Sequence, residues 1–249
     1  MGKKQVFIIG GGAAGMMAAI SARRRGADVT ILERNPRVGK KILATGNGRC
    51  NFTNIHTEVD CYSGNDPHFA SQALQNFDID KTIRFFEKLG IAHKVEEAGK
   101  VYPMSDQASS ILDVFLYELN QSGIKIVADA LVKNIIPAQE KILLETENGQ
   151  RYSADRLIIA AGGKAMPGSG SDGNGFELAK IIGHTVTGIF PALVQLMLEG
   201  NFFKSIEGVK FIGAAEILAN DQSIIKDRGD ILFTNYGVSG PPILQISRK

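Results

Sequence analysis

The sequence predicts an α/β fold: a parallel sheet flanked by helices and carrying a β-meander, followed by a segment rich in strands. Three observations lead there. Two short apolar runs, Val6-Phe7-Ile8-Ile9 and Val29-Thr30-Ile31-Leu32, bracket a glycine-led stretch of good helix formers. Several β-rich pieces crowd between residues 124 and 152, around an Asn148-Gly149 dipeptide. A third apolar run, Leu157-Ile158-Ile159-Ala160-Ala161, ends in Gly162-Gly163. A chain of 249 residues, 44% hydrophobic and 22% charged, can bury a sizeable core, so one large domain or one plus a fragment is expected.

Taken in order, residues 6–9 read as a buried strand, residues 14–25 as a helix stopped by Gly26, and residues 29–32 as a second strand parallel to the first, which together make a βαβ unit. Residues 37–54 are rich in Gly, Asn, Lys and Thr without periodicity, a loop long enough to need a reason. Helices follow at 66–77, at 80–89 with Ile83, Phe86 and Leu89 on one face, and at 107–121; Gly90 and Gly123 punctuate two of them. The meander comprises 124–127, 131–136, 142–146 and a short return after Asn148-Gly149. Residues 157–161 form a buried strand, 168–175 a glycine-serine turn, and 176–182 a helix. After Pro191 the texture changes to strands at 192–198, 209–218 and 231–233. The boundary is therefore placed between a first domain, 1–190, and a second, partial one, 191–249.

Composition excludes several classes. The net charge of +2 gives no support to a nucleic-acid partner. Cys50 and Cys61 are too few for a disulfide scaffold and fit a reducing compartment, so a cytoplasmic location is expected. The apolar run over 6–22 is broken by three glycines and followed by Arg23, Arg24 and Arg25, which does not suit a secretory leader. No apolar stretch approaches the roughly 18 residues of a membrane span. The four histidines have no metal-ligand spacing, and no metal is expected.

Gly10-Gly11-Gly12-Ala13-Ala14-Gly15 fits G-x-G-x-x-G between a predicted strand and a predicted helix. Gly10 allows the tight turn, Gly12 lets a pyrophosphate approach the backbone, and Gly15 permits close helix–strand packing. Backbone N–H groups and the helix dipole then favour phosphate. Glu33 ends the second strand, where a carboxylate accepts hydrogen bonds from both ribose hydroxyls of an adenosine and repels a 2′-phosphate. Arg34 either covers the adenine, reaches a phosphate or is a surface charge.

NAD and FAD share this fingerprint. A nicotinamide domain continues in alternating βαβ units, whereas here a polar loop, a helical insertion and a meander precede the Ala161-Gly162 strand end. That order resembles a glutathione-reductase-like FAD domain, a Rossmann-like FAD/NAD(P)-binding fold in which the late strand brings its glycines against the cofactor.

The stretch Gly39-Lys40-Lys41-Ile42-Leu43-Ala44-Thr45-Gly46-Asn47-Gly48-Arg49-Cys50-Asn51-Phe52-Thr53-Asn54 places cations, amides and flexible backbone beside the phosphate site, suited to clamping a pyrophosphate or lining a flavin ring. With the G-G-G-A-A-G turn, the A-A-G-G strand end and the P-G-S-G-S-D-G-N-G-F turn, it resembles the bacterial BaiN-like, aminoacetone-oxidase-like NAD(P)/FAD-dependent oxidoreductases over essentially the whole chain. The resemblance implies FAD contacts at Ala14, Gly15, Glu33, Arg34, Lys41, Asn47, Gly48 and Arg49, with backbone at Val132 meeting the adenine edge. It also implies a small organic substrate (an amine, ketone or enone), with NAD(P)H as a possible donor, and a β-rich domain inserted after the flavin domain. Members of that family are longer and return to a C-terminal segment that completes the flavin site, so this chain is expected to be a fragment. Two further readings are a non-catalytic dinucleotide-binding module and, less favoured by charge, a flavoprotein acting on RNA. Cys50 has no C-x-x-C partner and reads first as a packing thiol. Tyr102, Tyr236 and Lys164 are candidate substrate contacts, and no catalytic base is assigned.

Overall fold

The computed structural model describes residues 2–45, 48–62, 64 and 66–248. The chain divides into two compact units, Met1–Val186 and Thr187–Lys249.

The first unit opens with β1 (Gln5–Ile9), α1 (Ala13–Arg24) and β2 (Asp28–Leu32), and β1 pairs parallel with β2 from Gln5 opposite Asp28 to Ile9 opposite Leu32. The strands are apolar at nearly every position because both faces are covered. Val6, Ile8, Val29 and Ile31 face a helical layer, while Phe7, Ile9 and Leu32 pack with the meander residues Val132, Ile135 and Leu144. α1 buries Gly15, Met16, Ala19 and Ile20, one stripe at helical spacing. Gly26, at φ 88°, ends that helix.

Residues 37–54 are not all loop. They contain the single turn α2 (Lys40–Leu43) and the two-residue β3 (Thr53–Asn54), both too short to leave a periodic trace. The helix expected over 66–77 is a 3₁₀ turn at Pro67–Ala70 running into α3 (Ser71–Asn76). α4 (Ile79–Lys88) starts where the Asp78 carboxylate accepts the Lys81 N–H at 2.8 Å, and it buries Phe85 and Phe86. β4 (His93–Val95) and β5 (Lys100–Pro103) complete a small antiparallel sheet in the order β3-β5-β4, absent from the sequence reading because its strands are two to four residues long. α5 (Ala108–Gln121) buries Ile111, Leu112, Phe115 and Leu119. Phe52, Phe86 and Phe115 pack in series, the first pair tilted and the second edge to face, with ring centroids 4.8 and 5.6 Å apart.

β6 (Lys125–Val127) joins the parallel sheet beside β2. The meander is β7 (Val132–Pro137), β8 (Ile142–Thr146) and β9 (Arg151–Ala154), turning through Asn148-Gly149 with Gly149 at φ 80°. β10 (Arg156–Ile159) pairs parallel with β1, giving the order β10-β1-β2-β6. It is shorter than the predicted run: Ala160 still bonds Ile9, but the chain then bends into Gly162 at φ 78°. α6 (Asn174–Ile181) closes the unit.

In the second unit β11 (Leu196–Met197), β12 (Lys210–Ala219), β13 (Gln222–Thr234) and β14 (Gly237–Ser239) form an antiparallel sheet in the order β11-β14-β13-β12, and α7 (Pro241–Ile246) follows. Of the strand expected over 192–198 only two residues pair. The one expected over 231–233 is the end of a 13-residue strand whose polar first half is held by backbone pairing with β12, which needs no apolar pattern. Asn220 and Asp221, at φ 49° and 60°, make the two-residue hairpin turn. Among the described residues no helix is long and apolar enough to cross a membrane.

Candidate functional site

The turn between β1 and α1 is built on close approach. Gly10 stands at φ 103°, and a Cβ there would lie 2.6 Å from the Ala160 carbonyl oxygen. A Cβ on Gly15 would fall 1.8 Å from the Gly10 carbonyl oxygen, so only glycine lets α1 sit this close to the turn. Gly12 differs. It occupies the N-cap of α1 with ordinary extended backbone, φ −78°, and a Cβ there would meet nothing within 4 Å. The space in front of it is open, and no side chain caps the helix. The first-turn N–H groups and the positive end of the helix dipole are therefore offered to whatever fills that space.

That space belongs to a crevice of about 590 Å³ in the first unit, within the range of small-molecule and cofactor sites. Gly10, Gly12, Ala14, Glu33, Arg34, Lys41, Val132, Ala161 and Gly162 all line it. Glu33 is 6% exposed; one carboxylate oxygen accepts the Gly11 N–H at 2.6 Å, and the other accepts the Asn35 backbone N–H at 2.8 Å and its side-chain amide at 2.7 Å. These three bonds fix the carboxylate's direction at the strand end.

Opposite the Glu33 wall runs the segment 168–172, fastened to it by a row of polar contacts. Arg34 donates to Asp172 at 2.6 Å and to the Gly170 carbonyl at 3.2 Å, and the Asn35 amide donates to the Ser169 carbonyl at 3.1 Å. Lys40 donates to the Gly168 carbonyl at 2.8 Å and Lys41 to the Ser171 hydroxyl at 2.9 Å. Of the three roles open to Arg34, the structure shows an ion pair with Asp172, outside the crevice lining, and hydrogen bonding from Arg34 holds the Asp172 carboxyl below the usual carboxylate range. Gly162 is needed because a Cβ there would sit 2.4 Å from the Ser171 hydroxyl and 3.8 Å from the Lys41 ammonium. A cation, a hydroxyl and exposed backbone thus converge beside the glycine turn.

Other expected contacts lie elsewhere. Gly15 packs the helix rather than lining the crevice, and Gly48 is also outside the lining. Arg49 departs furthest from the expectation: its guanidinium is taken up by Asp106 and Glu96 and stacks over Tyr102 at 4.2 Å. Asn47 lies outside the described residues. Sequence reasoning missed Ser169 and Ser171, whose only signal was the Gly-Ser turn, Asn35 beside Arg34, and the apolar arm that Met17, Phe86 and Phe115 make with Phe52 of the 39–54 stretch. Of these, only Phe86 was placed by helical spacing, on the same face as Ile83 and Leu89. Cys50 lines the crevice at φ 60°, and burial pushes its thiol pKa up, against a hydrogen bond with Thr45.

The residues present fit a dinucleotide. Gly12 leaves room for a pyrophosphate against an uncapped helix, Glu33 presents a fixed carboxylate to the same crevice, and Lys41 adds positive charge.

The HI0933-like protein Rossmann domain matches residues 4–240. The chain is 43% identical over 246 residues to the 3-dehydro-bile acid delta(4,6)-reductase of Clostridium scindens, covering 98% of this chain and 60% of that protein. It is 30% identical to the ribosomal RNA dihydrouridine synthase of Escherichia coli, covering 99% of this chain and 61% of that protein. The chain thus spans about three fifths of the length of these relatives. Among solved structures, an open flavocytochrome c3 fumarate reductase superposes with a TM-score of 0.54 at 17% identity, over 84% of this chain and 46% of that one, a likeness of fold. The chain belongs to the HI0933-like Rossmann-domain family, and its cofactor is FAD.

Proposed function

We propose that this chain is the FAD-binding part of an oxidoreductase that exchanges hydride between flavin and a small organic substrate, with NAD(P)H as the electron donor. Within that class, saturation of a carbon–carbon double bond conjugated to a ketone is favoured over amine or ketone oxidation. The observation that carries the reading is one continuous crevice uniting the uncapped α1 N-terminus at Gly12, the oriented Glu33 carboxylate and the Lys41–Ser171 pair. The 43% identity to a bile acid reductase supports the conjugated ketone. Bound FAD supplies the two-electron chemistry. The chain's residues bind and orient: Glu33 accepts the ribose hydroxyls, the first turn of α1 and Lys41 neutralise phosphate, and Val132 borders the adenine. Residues 1–190 are assigned as the flavin domain and 191–249 as the beginning of an inserted β-rich domain, in a cytoplasmic protein.

A second reading, reduction of a pyrimidine in RNA, is favoured by the ribosomal RNA dihydrouridine synthases at 30% identity, although the net charge of +2 adds nothing to it. The test is anaerobic. The purified protein is expected to be yellow, to bleach with NADH or NADPH, and to regain its colour with a steroid dienone and not with uridine-containing RNA. Recovery with RNA alone selects the second reading. A yellow protein that stays oxidised with every donor refutes both and favours a binding module without catalysis.

A further inference from the structure

Arg49 sits at the entrance to a turn that walls the crevice, yet it is outside the lining, while Cys50, Asn51 and Phe52 after it are all part of the wall. Its guanidinium is engaged on three counts. Nε and Nη2 donate to the Asp106 carboxylate at 2.8 and 2.5 Å, Nη2 also donates to Glu96 at 2.5 Å, and the plane lies over the Tyr102 ring at 4.2 Å. Lys94 bonds the same two carboxylates, Asp106 at 2.5 Å and Glu96 at 3.1 Å, so two cations and two anions alternate in a closed, neutral quartet. Hydrogen bonding within it lowers both carboxyl pKa values and raises those of both cations. A phosphate could recruit the Nε and Nη2 edge of this arginine only by breaking three hydrogen bonds to the two carboxylates.

The turn needs such a hold. Cys50 is a non-glycine residue at φ 60°, a conformation that persists only where the surroundings over-determine it. Downstream it is tied to β5: the Asn51 amide donates to the Val101 carbonyl at 2.9 Å, and the Phe52 N–H donates to the same carbonyl at 3.0 Å. Upstream the tie is Arg49. Phe52 then reaches Phe86 in the apolar arm.

We propose that Arg49 is a positioning residue, bracing the crevice wall at Cys50, Asn51 and Phe52 through Asp106 and Glu96, and that it makes no contact with the cofactor. The proposal rests on the reading of the crevice as the FAD site, and the experiment separates the two. Arg49→Ala, Asp106→Asn and the double variant are compared in a Cys61→Ser background. Asp106 stands at φ 55°, which Asn tolerates, so this change removes charge with little new strain. Two readouts are taken: the dissociation constant of FAD by flavin fluorescence across salt concentration, and the rate at which iodoacetamide alkylates Cys50 in protein without FAD.

Both single variants are expected to weaken FAD on the order of tenfold, the double no further, with the wild-type salt slope and a Cys50 alkylation rate raised by a similar factor. Direct contact with a phosphate predicts otherwise. Asp106→Asn then frees Arg49 and leaves FAD binding unchanged or tighter, while Arg49→Ala weakens it with a shallower salt slope; that pattern overturns the proposal. So does an unchanged alkylation rate in both variants, whatever FAD does. If the parent protein takes up no FAD but Cys50 becomes reactive in both variants, the brace stands and the FAD reading falls. Glu96→Gln, which removes one negative charge from the quartet, carries the same comparison if Arg49→Ala does not fold.

Discussion

Replacing Gly12 by alanine should separate binding from folding. The residue has ordinary extended backbone, and a Cβ placed on it meets nothing within 4 Å, so the chain loses no contact and suffers no clash. Stability should stay within about 0.5 kcal/mol of wild type or rise slightly through the lost freedom of the unfolded chain. The methyl group instead projects into the space left for the pyrophosphate. Crowding of that kind costs ~1–3 kcal/mol, a fall in FAD affinity of roughly tenfold to a hundredfold. Gly15→Ala is the contrast, because its Cβ would stand 1.8 Å from the Gly10 carbonyl oxygen, a backbone atom that cannot yield as a flexible side chain would. It should cost the fold ~1–3 kcal/mol or more before any ligand is added. Thermal unfolding without FAD, paired with fluorescence titration by FAD, reads both quantities. A Gly12→Ala protein that binds FAD as tightly as wild type would refute the assignment of the glycine turn to the phosphates. One that loses stability as Gly15→Ala does would refute the geometry.

Three other outcomes follow from the same structure. Glu33→Gln turns one carboxylate oxygen into a donor facing the Gly11 or Asn35 N–H groups, so it should lower stability by ~1–3 kcal/mol and weaken FAD; an unchanged melting temperature would count against the three bonds described. Phe115→Ala removes a ring, 2% exposed, from the Phe52-Phe86-Phe115 series and should cost ~3–5 kcal/mol by urea unfolding, with a loss below 1 kcal/mol showing that the arm is loosely packed. Finally, Asp172, Asp155 and Asp78 are held below the usual carboxylate pKa by the Arg34 side chain, the Lys141 side chain and the Lys81 backbone N–H respectively. The unfolded chain binds more protons than the folded one between those depressed values and about pH 4, so stability is complete above that pH and lost as pH falls through the folded values. The urea midpoint should be lower at about pH 3 than at about pH 5.5, and an equal midpoint would refute this.

What was legible in the sequence follows element length and burial. β1, β2 and the meander strands announce themselves because each buries apolar side chains on one or both faces, and α5 because its stripe runs for 14 residues. The small β3-β5-β4 sheet and the single turn α2 left no trace, since two to four residues complete no period. β13 was seen only at its apolar end, Ile231 to Phe233, because hydrogen bonding to β12 specifies the polar half without asking for particular side chains. In the site, Gly15 and Glu33 were readable because each answers to one glycine turn, Gly15 to the Gly10 carbonyl and Glu33 to the Gly11 N–H. Ser171 and Asn35 were not, because their roles depend on a segment more than a hundred residues away.

By itself, then, the order of residues determined a βαβ unit opening on a glycine turn, an acid at the end of the second strand, and a late apolar strand ending in glycines. These are short-range consequences of side-chain period, glycine backbone freedom and strand burial. Which cations face the crevice was decided by tertiary structure alone. Arg34, Lys41 and Arg49 look alike in the chain, but Asp172, Ser171 and the Asp106–Glu96 pair, brought close by folding, assign each a different partner. A long charged side chain can reach many places, and the carboxylate or hydroxyl that folding puts within a hydrogen bond of it selects one.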